Sequence, residues 1–436
     1  MTLYHKLCRS SLDIQDLGFI PCTANSGTLG TTADGKIHFC MKEGHGETVF
    51  AVGEKTVPVS KNFSDFLGLL YCCKDAKLLS RIPGWTRLRF DRESNRISLS
   101  YKQQMIRNAL FNCFHPPVIE DAYGYVQSLQ SNNAASQNCP GTEKSSAPQV
   151  SVAYGDTVWH AKELQILDDG VEVTLCVEIP GQRILNFYDR WEDTTPNVEQ
   201  LLTMNAEDPF ALHVELRAMI NGMEQTPDIV EIVRWDPLSD PTADAEKYIN
   251  QFKLNKEQGW LFLRLRFGRL SKKKKSIRSL VLNLQSKNVT IPGLELVTPM
   301  EQNSVSLTHP VTGNTHTLTI HSCTDEGLDP NFLINPPCFY TRLCYSLSPA
   351  LSTDAFMIFD PLPNDRLRTP LGDTSPYPDE DYENAPTAQL VEADETLPAH
   401  VRTVFSARHY DPRRNIRWQT RFCCKLQPDA VLPIIR

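Results

Sequence analysis

No run of apolar residues in this chain approaches the roughly 18–20 that a membrane-spanning helix requires. An apolar leader core is also missing from the first residues, because Asp13 and Asp16 interrupt them early. Both absences point to the cytoplasm. The sequence has no Cys-x-x-Cys, the spacing common to zinc ribbons and dithiol redox sites. It also has no His-Glu-x-x-His, Gly-x-Ser-x-Gly or Gly-x-Gly-x-x-Gly, the usual marks of zinc hydrolases, serine hydrolases and dinucleotide enzymes. Net positive charge is lacking too: a formal charge of -8 gives no general attraction to nucleic acid or anionic lipid. The expectation is of no catalytic residue, no cofactor and no metal, with membrane and nucleic acid disfavoured as partners.

What is present is an ordinary globular composition, 41% hydrophobic and 22% charged, which is enough to build packed cores. A length of 436 residues exceeds one ordinary core and predicts two domains or three. The 13 cysteines are scattered, with adjacent pairs at Cys72-Cys73 and Cys423-Cys424. In a cytosolic chain they read as reduced thiols serving mainly as small buried hydrophobes.

The expected fold class is α+β: an α+β module over residues 1–130, a polar linker over 131–149, and a larger β-rich domain over 150–436. In the module, Asp34-Gly35 before Ile37-His38-Phe39-Cys40 marks a hairpin turn. Residues 48–52 read as a strand and 62–79 as an amphipathic helix. Phe63, Phe66, Leu67, Leu70 and Tyr71 recur at helical spacing behind Asn62, an N-cap worth about 1 kcal/mol. Arg87-Leu88-Arg89-Phe90 with Arg96-Ile97-Ser98-Leu99 reads as a short hairpin. Residues 103–113 and 119–129 read as two further helices. Residues 131–149 have almost no apolar content and read as a flexible tether.

Beyond the tether the pattern turns to period two, at 171–177, 261–267, 280–284, 315–320, 403–407 and 416–423. Helices are expected near 197–204, 210–223 and 243–252. A β-sandwich or a large twisted sheet with a few helices accommodates this order.

The run Gly46-Glu47-Thr48-Val49-Phe50-Ala51-Val52, followed by Pro58-Val59-Ser60-Lys61-Asn62-Phe63-Ser64-Asp65-Phe66-Leu67, resembles the closing strand and helix of the SUKH superfamily. The Asp34-Gly35 hairpin fits that family's central strands. The resemblance covers residues 15–80. It implies a small α+β module that binds a protein partner, in bacterial immunity proteins a toxin domain, and it implies no catalysis. The family's N-terminal helices and Asn-Gly-Gly turn have no counterpart before Asp16. Separately, the stretch from His309 to Thr319 is similar to uncharacterised proteins of Gram-positive gut bacteria, a likeness that brings no function.

Five features invite chemistry. Gly30 to Lys36 matches half of a phosphate loop, but Ile37 stands where a hydroxyl would hold magnesium, so a hairpin is expected. His309 and His316 flank the turn 311–314 and could share a metal across a hairpin. His321 would face the other way, so an ordinary hairpin surface is expected. The acid pairs Asp168-Asp169 and Glu192-Asp193 point their neighbours apart and make no dyad by themselves. Arg264, Arg266, Arg269, Lys272, Lys273, Lys274, Lys275 and Arg278 put eight cations within fifteen residues and form the candidate anion-binding set, read as a strand, a basic tip and a returning strand. Residues 371–400 carry eight acids and no Lys or Arg, and would fold over that tip as a screen.

Taken together, the residues predict a cytosolic bacterial protein that recognises a protein partner without catalysis, in the manner of toxin immunity. A concave, acidic patch beside the 62–79 helix is the expected contact. An enzyme of hydrolase type in the 150–436 domain is the alternative, and anion or nucleic-acid binding at 264–278 the third. The sequence does not give the oligomeric state.

Overall fold

The computed structural model describes residues 3–10, 12–22, 27–42, 47–134, 150–167, 170–268, 277–300, 302–327, 337–365 and 400–435, without the side chains of 131–134. The chain divides into two compact units, residues 1–189 with 227–277, and residues 190–226 with 278–434.

The first unit begins with α1 (Leu3–Arg9) and a five-stranded antiparallel meander in sequence order. Its strands are β1 (Phe19–Pro21), β2 (Thr28–Thr32), β3 (His38–Met41), β4 (Val49–Val52) and β5 (Thr56–Ser60). At the β2–β3 turn Gly35 takes a φ of 69°, a left-handed position that costs glycine nothing. Asp34 accepts from Thr32 Oγ1 and from Lys36 N, and these bonds hold its carboxyl near 2. The half-match to a phosphate loop is therefore a hairpin, as expected. β5 occupies what the sequence pattern left as a plain connection.

Against this sheet lies α2 (Phe63–Cys73), whose first turn is capped by Asn62 Oδ1 on Asp65 N at 2.8 Å. Phe66 meets Phe39 and Phe19 with ring centres 5.0 and 5.2 Å apart, and Phe63, Phe66, Leu67 and Leu70 are all buried. The aromatic stripe faces inward. The expected helix over 62–79 is in fact two. Lys74 adopts a φ of 67°, and Asp75 then caps α3 (Ala76–Arg81) through Lys77 N. A side chain with oxygen two residues ahead of Lys77 starts a new helix more easily than Lys74 continues the old one.

The expected hairpin at 87–99 is overturned: Arg87–Arg96 forms a helix, α4. Leu88 and Phe90 alternate with arginines only by coincidence. The helix starts because Thr86 caps Arg89 N and the Glu257 carboxylate accepts from Arg87 N (2.7 Å) and Leu88 N (2.8 Å). α5 (Tyr101–Phe114) opens on a Ser100–Gln103 capping box, and α6 (Ala122–Ala134) follows. Residues 131–134, assigned to the tether, are thus helical in backbone, and 135–149 lie outside the described residues.

The same unit continues with β6 (Val150–Tyr154), β7 (Thr157–Leu167), β8 (Gly170–Ile179) and α7 (Gly181–Trp191). The chain then contributes α8 (Val198–Glu207), β9 (Val214–Ile220) and β10 (Met223–Gln225) to the second unit. It returns with β11 (Asp228–Trp235), α9 (Ala243–Phe252) and β12 (Gly259–Phe267). The antiparallel order is β11-β12-β8-β7-β6. α9 covers one face through Ala245 and Ile249 on Cys176, Trp235, Trp260 and Phe262. The helix expected over 210–223 is instead β9 and its turn. Val214, Leu216, Ala218 and Ile220 are buried while the residues between them are not, a period of two.

The meander-and-helix module is bonded to this second sheet. Besides Glu257, Thr86 Oγ1 donates to Pro237 O at 2.6 Å, Arg89 pairs with Asp240 and Arg92 with Asp189. The compact units accordingly do not divide at 131–149. Both sides of that stretch belong to the first unit.

In the second unit, β9 and β10 join β13 (Leu280–Ser286) and β21 (Ala430–Ile435) in one sheet, ordered β10-β9-β13-β21. Two others make a sandwich. One is β14 (Asn288–Thr298), β20 (Ile416–Lys425) and β18 (Phe356–Phe359), in that order. The other is β15 (Ser304–Thr308), β16 (Thr315–Gly327), β17 (Phe339–Ser348) and β19 (Arg402–Phe405). Leu296, Phe356, Trp418 and Phe422 from the first meet Leu307, Leu318 and Leu343 from the second in a single core. The mixed α+β class holds, and no described helix is long and apolar enough to cross a membrane.

Candidate recognition site

The candidate anion-binding set is not a hairpin. β12 pairs with β11 and β8, whereas β13 lies between β9 and β21, so the strands on either side of the basic tip belong to different sheets. Arg264 lies 3.5 Å from both Glu172 on β8 and Glu231 on β11, acids that strand pairing brings to it. Arg266 stands opposite Glu172 and Asp228 in register. Arg278 uses its backbone N–H on Asn221 Oδ1. Arg269 and Lys272 to Lys275 lie outside the described residues, as do Asp168, Asp169 and the acidic stretch from Asp373 to Glu395. For Arg264 and Arg266, the fold supplies from neighbouring strands the acids that the local sequence lacks.

His309 and His316 do come together, with ring centres 6.2 Å apart, but they are buried rather than on a hairpin surface. His309 packs edge-on to Phe422 at 5.3 Å. Its Nδ1 accepts from Val311 N and Thr312 N, both at 3.2 Å, which places the proton of the neutral ring on Nε2. His316 Nδ1 donates to Pro349 O at 2.7 Å. The two rings are committed to the backbone in opposite tautomers, which sets them against a shared metal. No metal-ligating cluster exists among the described residues.

A third histidine carries more polar company. His409, buried, holds Asp365 Oδ1 at 3.1 Å through Nδ1, while its buried Nε2 has no hydrogen-bond partner. It lines a cavity of ≈ 10 Å³ with Asp325, Thr341, Ser406 and Arg413, space for about one water molecule. Asp365 also accepts from Tyr410 N, Asn364 from Arg408 N, and Asp360 from Ala407 N. The Tyr410 N–H and the His409 ring hold the Asp365 carboxyl below its usual range against the opposing effect of burial. These bonds splice 360–365 onto 407–410, and the geometry is that of a brace. The described thiols are free, and burial pushes Cys176 up to about 12.

α2, beside which the contact patch is expected, is itself largely enclosed. Ser64, Asp65, Tyr71 and Cys72 are only partly exposed and every other α2 residue is buried. Gly68 lies so close to the 116–119 segment that a Cβ there would stand 2.3 Å from Pro117 O.

An open groove of ≈ 420 Å³ lies instead in the second unit, lined by Leu294, Leu296, Val297, Met300 and Val305 with Glu295 at its rim. Leu294 and Val297 are 44% and 45% exposed. The groove runs between β14 and β15, consecutive strands that each end a different sheet of the sandwich. Leu294 lies in a break of the β14–β20 register between Pro292 and Glu295, which turns it outward. The sequence pattern did not single out 288–298, because Pro292 and Gly293 interrupt its alternation.

No protein-family model, no curated protein and no solved structure matches the chain.

Proposed function

We propose that this is a non-catalytic recognition protein that takes up an extended, apolar segment of a protein partner in the groove between β14 and β15. The observation that carries the reading is the meeting of two strand edges that have no partner among the described residues, with exposed Leu294 and Val297 between them. An added strand there satisfies its backbone hydrogen bonds on an existing edge while its alternate side chains enter the groove. Glu295, with Arg417 at 3.7 Å, places one charge of each sign beside the groove and favours a segment with little net charge. The SUKH-like reading of residues 15–80 narrows the partner class to a toxin domain, with the protein acting as its immunity factor.

Selection of a random peptide library on the full chain tests this. Enriched peptides should be extended and apolar, and should lose affinity about tenfold or more for Val297→Asp. Peptides that bind Val297→Asp and the parent chain equally would remove the groove from the proposal.

A further inference from the structure

We infer that β11 is a self-association edge, which pairs antiparallel with β11 of a second copy of this chain. The surface is separate from the β14–β15 groove and independent of what binds there.

β11 ends its sheet. Among the described residues it pairs with β12 alone. Eight residues long, Asp-Ile-Val-Glu-Ile-Val-Arg-Trp, it contains neither proline nor lysine. Apart from β14 and β15, which border the groove beyond Pro292, the described sheet edges are blunted. β5 and β21 carry Pro58 and Pro433, β1 carries Pro21, and β6, β10, β18 and β19 have five residues or fewer. Short strands and prolines are two of the ways to stop a free edge from pairing. β11 uses neither and carries instead a bulge at Val230 and the charges of Asp228, Glu231 and Arg234.

The side chains agree with the backbone. Ile229, Val230 and Ile232 are 52%, 45% and 56% exposed, three β-branched residues of high strand propensity left in water. The opposite numbers of Ile229 and Ile232 on β12, Leu265 and Leu263, are fully buried, so in these two rows the exposure arises at the edge strand. The register break between Ile229 and Glu231 pushes Val230 outward as the extra residue.

Charge selects the occupant. Asp228 and Glu231 lie in the first half of the strand and Arg234 in the second, so β11 is acidic at one end and basic at the other. Antiparallel pairing with a copy sets the basic end of each strand against the acidic half of the other, twice by symmetry. A parallel copy would set like charge on like. Arg234 keeps 42% of its side chain exposed while it bonds Asp236 at 2.7 Å, so it can reach a second acid across the edge. Glu231 is steadied by the Tyr248 hydroxyl at 3.0 Å and by Arg264.

Sedimentation of the full chain over a wide concentration range should show a monomer–dimer equilibrium. Ile232→Glu and Asp228→Arg should each weaken it by about tenfold or more, the first by setting an acid beside Glu231 of the other copy and the second by setting cation against Arg234. Val297→Asp in the groove should leave it unchanged. Hydrogen exchange on the unaltered chain gives a readout free of variants: the amides of β11 should slow as concentration rises. A monomer at every concentration overturns the inference. So does a dimer that both variants leave intact, or one whose β11 amides exchange at the monomer rate.

Discussion

Glu257→Ala should loosen the first 134 residues from the sheet that follows them. In the native chain the two carboxylate oxygens accept from Arg87 N and Leu88 N, the opening donors of α4. Removing the carboxylate strands both. The Arg87 N–H is exposed and can turn to water, losing only the net value of one charge-assisted bond, about 1.5 kcal/mol. The Leu88 N–H is partly buried and bears part of its desolvation cost, about 1–2 kcal/mol more. Loss of a negative charge at a helix N-terminus adds about 0.5 kcal/mol. The sum is about 3–4 kcal/mol, of which Glu257→Gln should recover roughly half by keeping one acceptor. Urea unfolding, followed by tryptophan fluorescence and by hydrogen exchange in α4, reads both variants. A loss below about 0.5 kcal/mol for Glu257→Ala would refute the reasoning. It would mean that the module stands by itself and that the bonds to Glu257 are incidental.

Two further outcomes follow from single contacts. Gly68→Ala should destabilise by about 1–2 kcal/mol in thermal or urea unfolding, because its new Cβ must displace the Pro117 carbonyl, and overpacking outweighs the roughly 1 kcal/mol helix-propensity gain. A more stable variant would show that the contact yields freely. The β15–β16 turn should weaken in acid. Burial, aided by His316, lowers the His309 pKa, so its stabilising contribution is complete above the ordinary histidine value near 6.5 and is lost as pH falls through the lower folded value. Protonation at Nδ1 would break the bonds from Val311 N and Thr312 N. Hydrogen exchange of those two amides between about pH 7 and 5 checks it, and His309→Asn should flatten the profile. Equal protection across that range would contradict the assignment.

Residues whose neighbours in sequence are also their neighbours in space were legible from the start. The Asp34-Gly35 turn, the inward stripe of α2 and the alternation of β8, β12 and β13 all follow local rules. Glycine geometry, capping oxygens and side-chain spacing act within a few residues, and local rules reach that far. α4 was misread because its decisive cap, Glu257, lies 170 residues away. β9 was misread because its seven residues are too few to separate a period of two from one of 3.6.

Sequence alone determined the elements whose period and caps are local, the net acidity, and the clustering of cations at 264–278. Tertiary structure alone decided which strands pair, and with that everything a partner would meet. It gave Arg264 its two acids, buried His309 and His316, enclosed α2, left β14 and β15 at the rim of a sandwich and placed β11 at the end of a sheet. A strand's amphipathic pattern states only that it has a neighbour and a core. Which strand becomes the neighbour, and which edge is left without one, depends on chain closure over tens to hundreds of residues that no local period encodes.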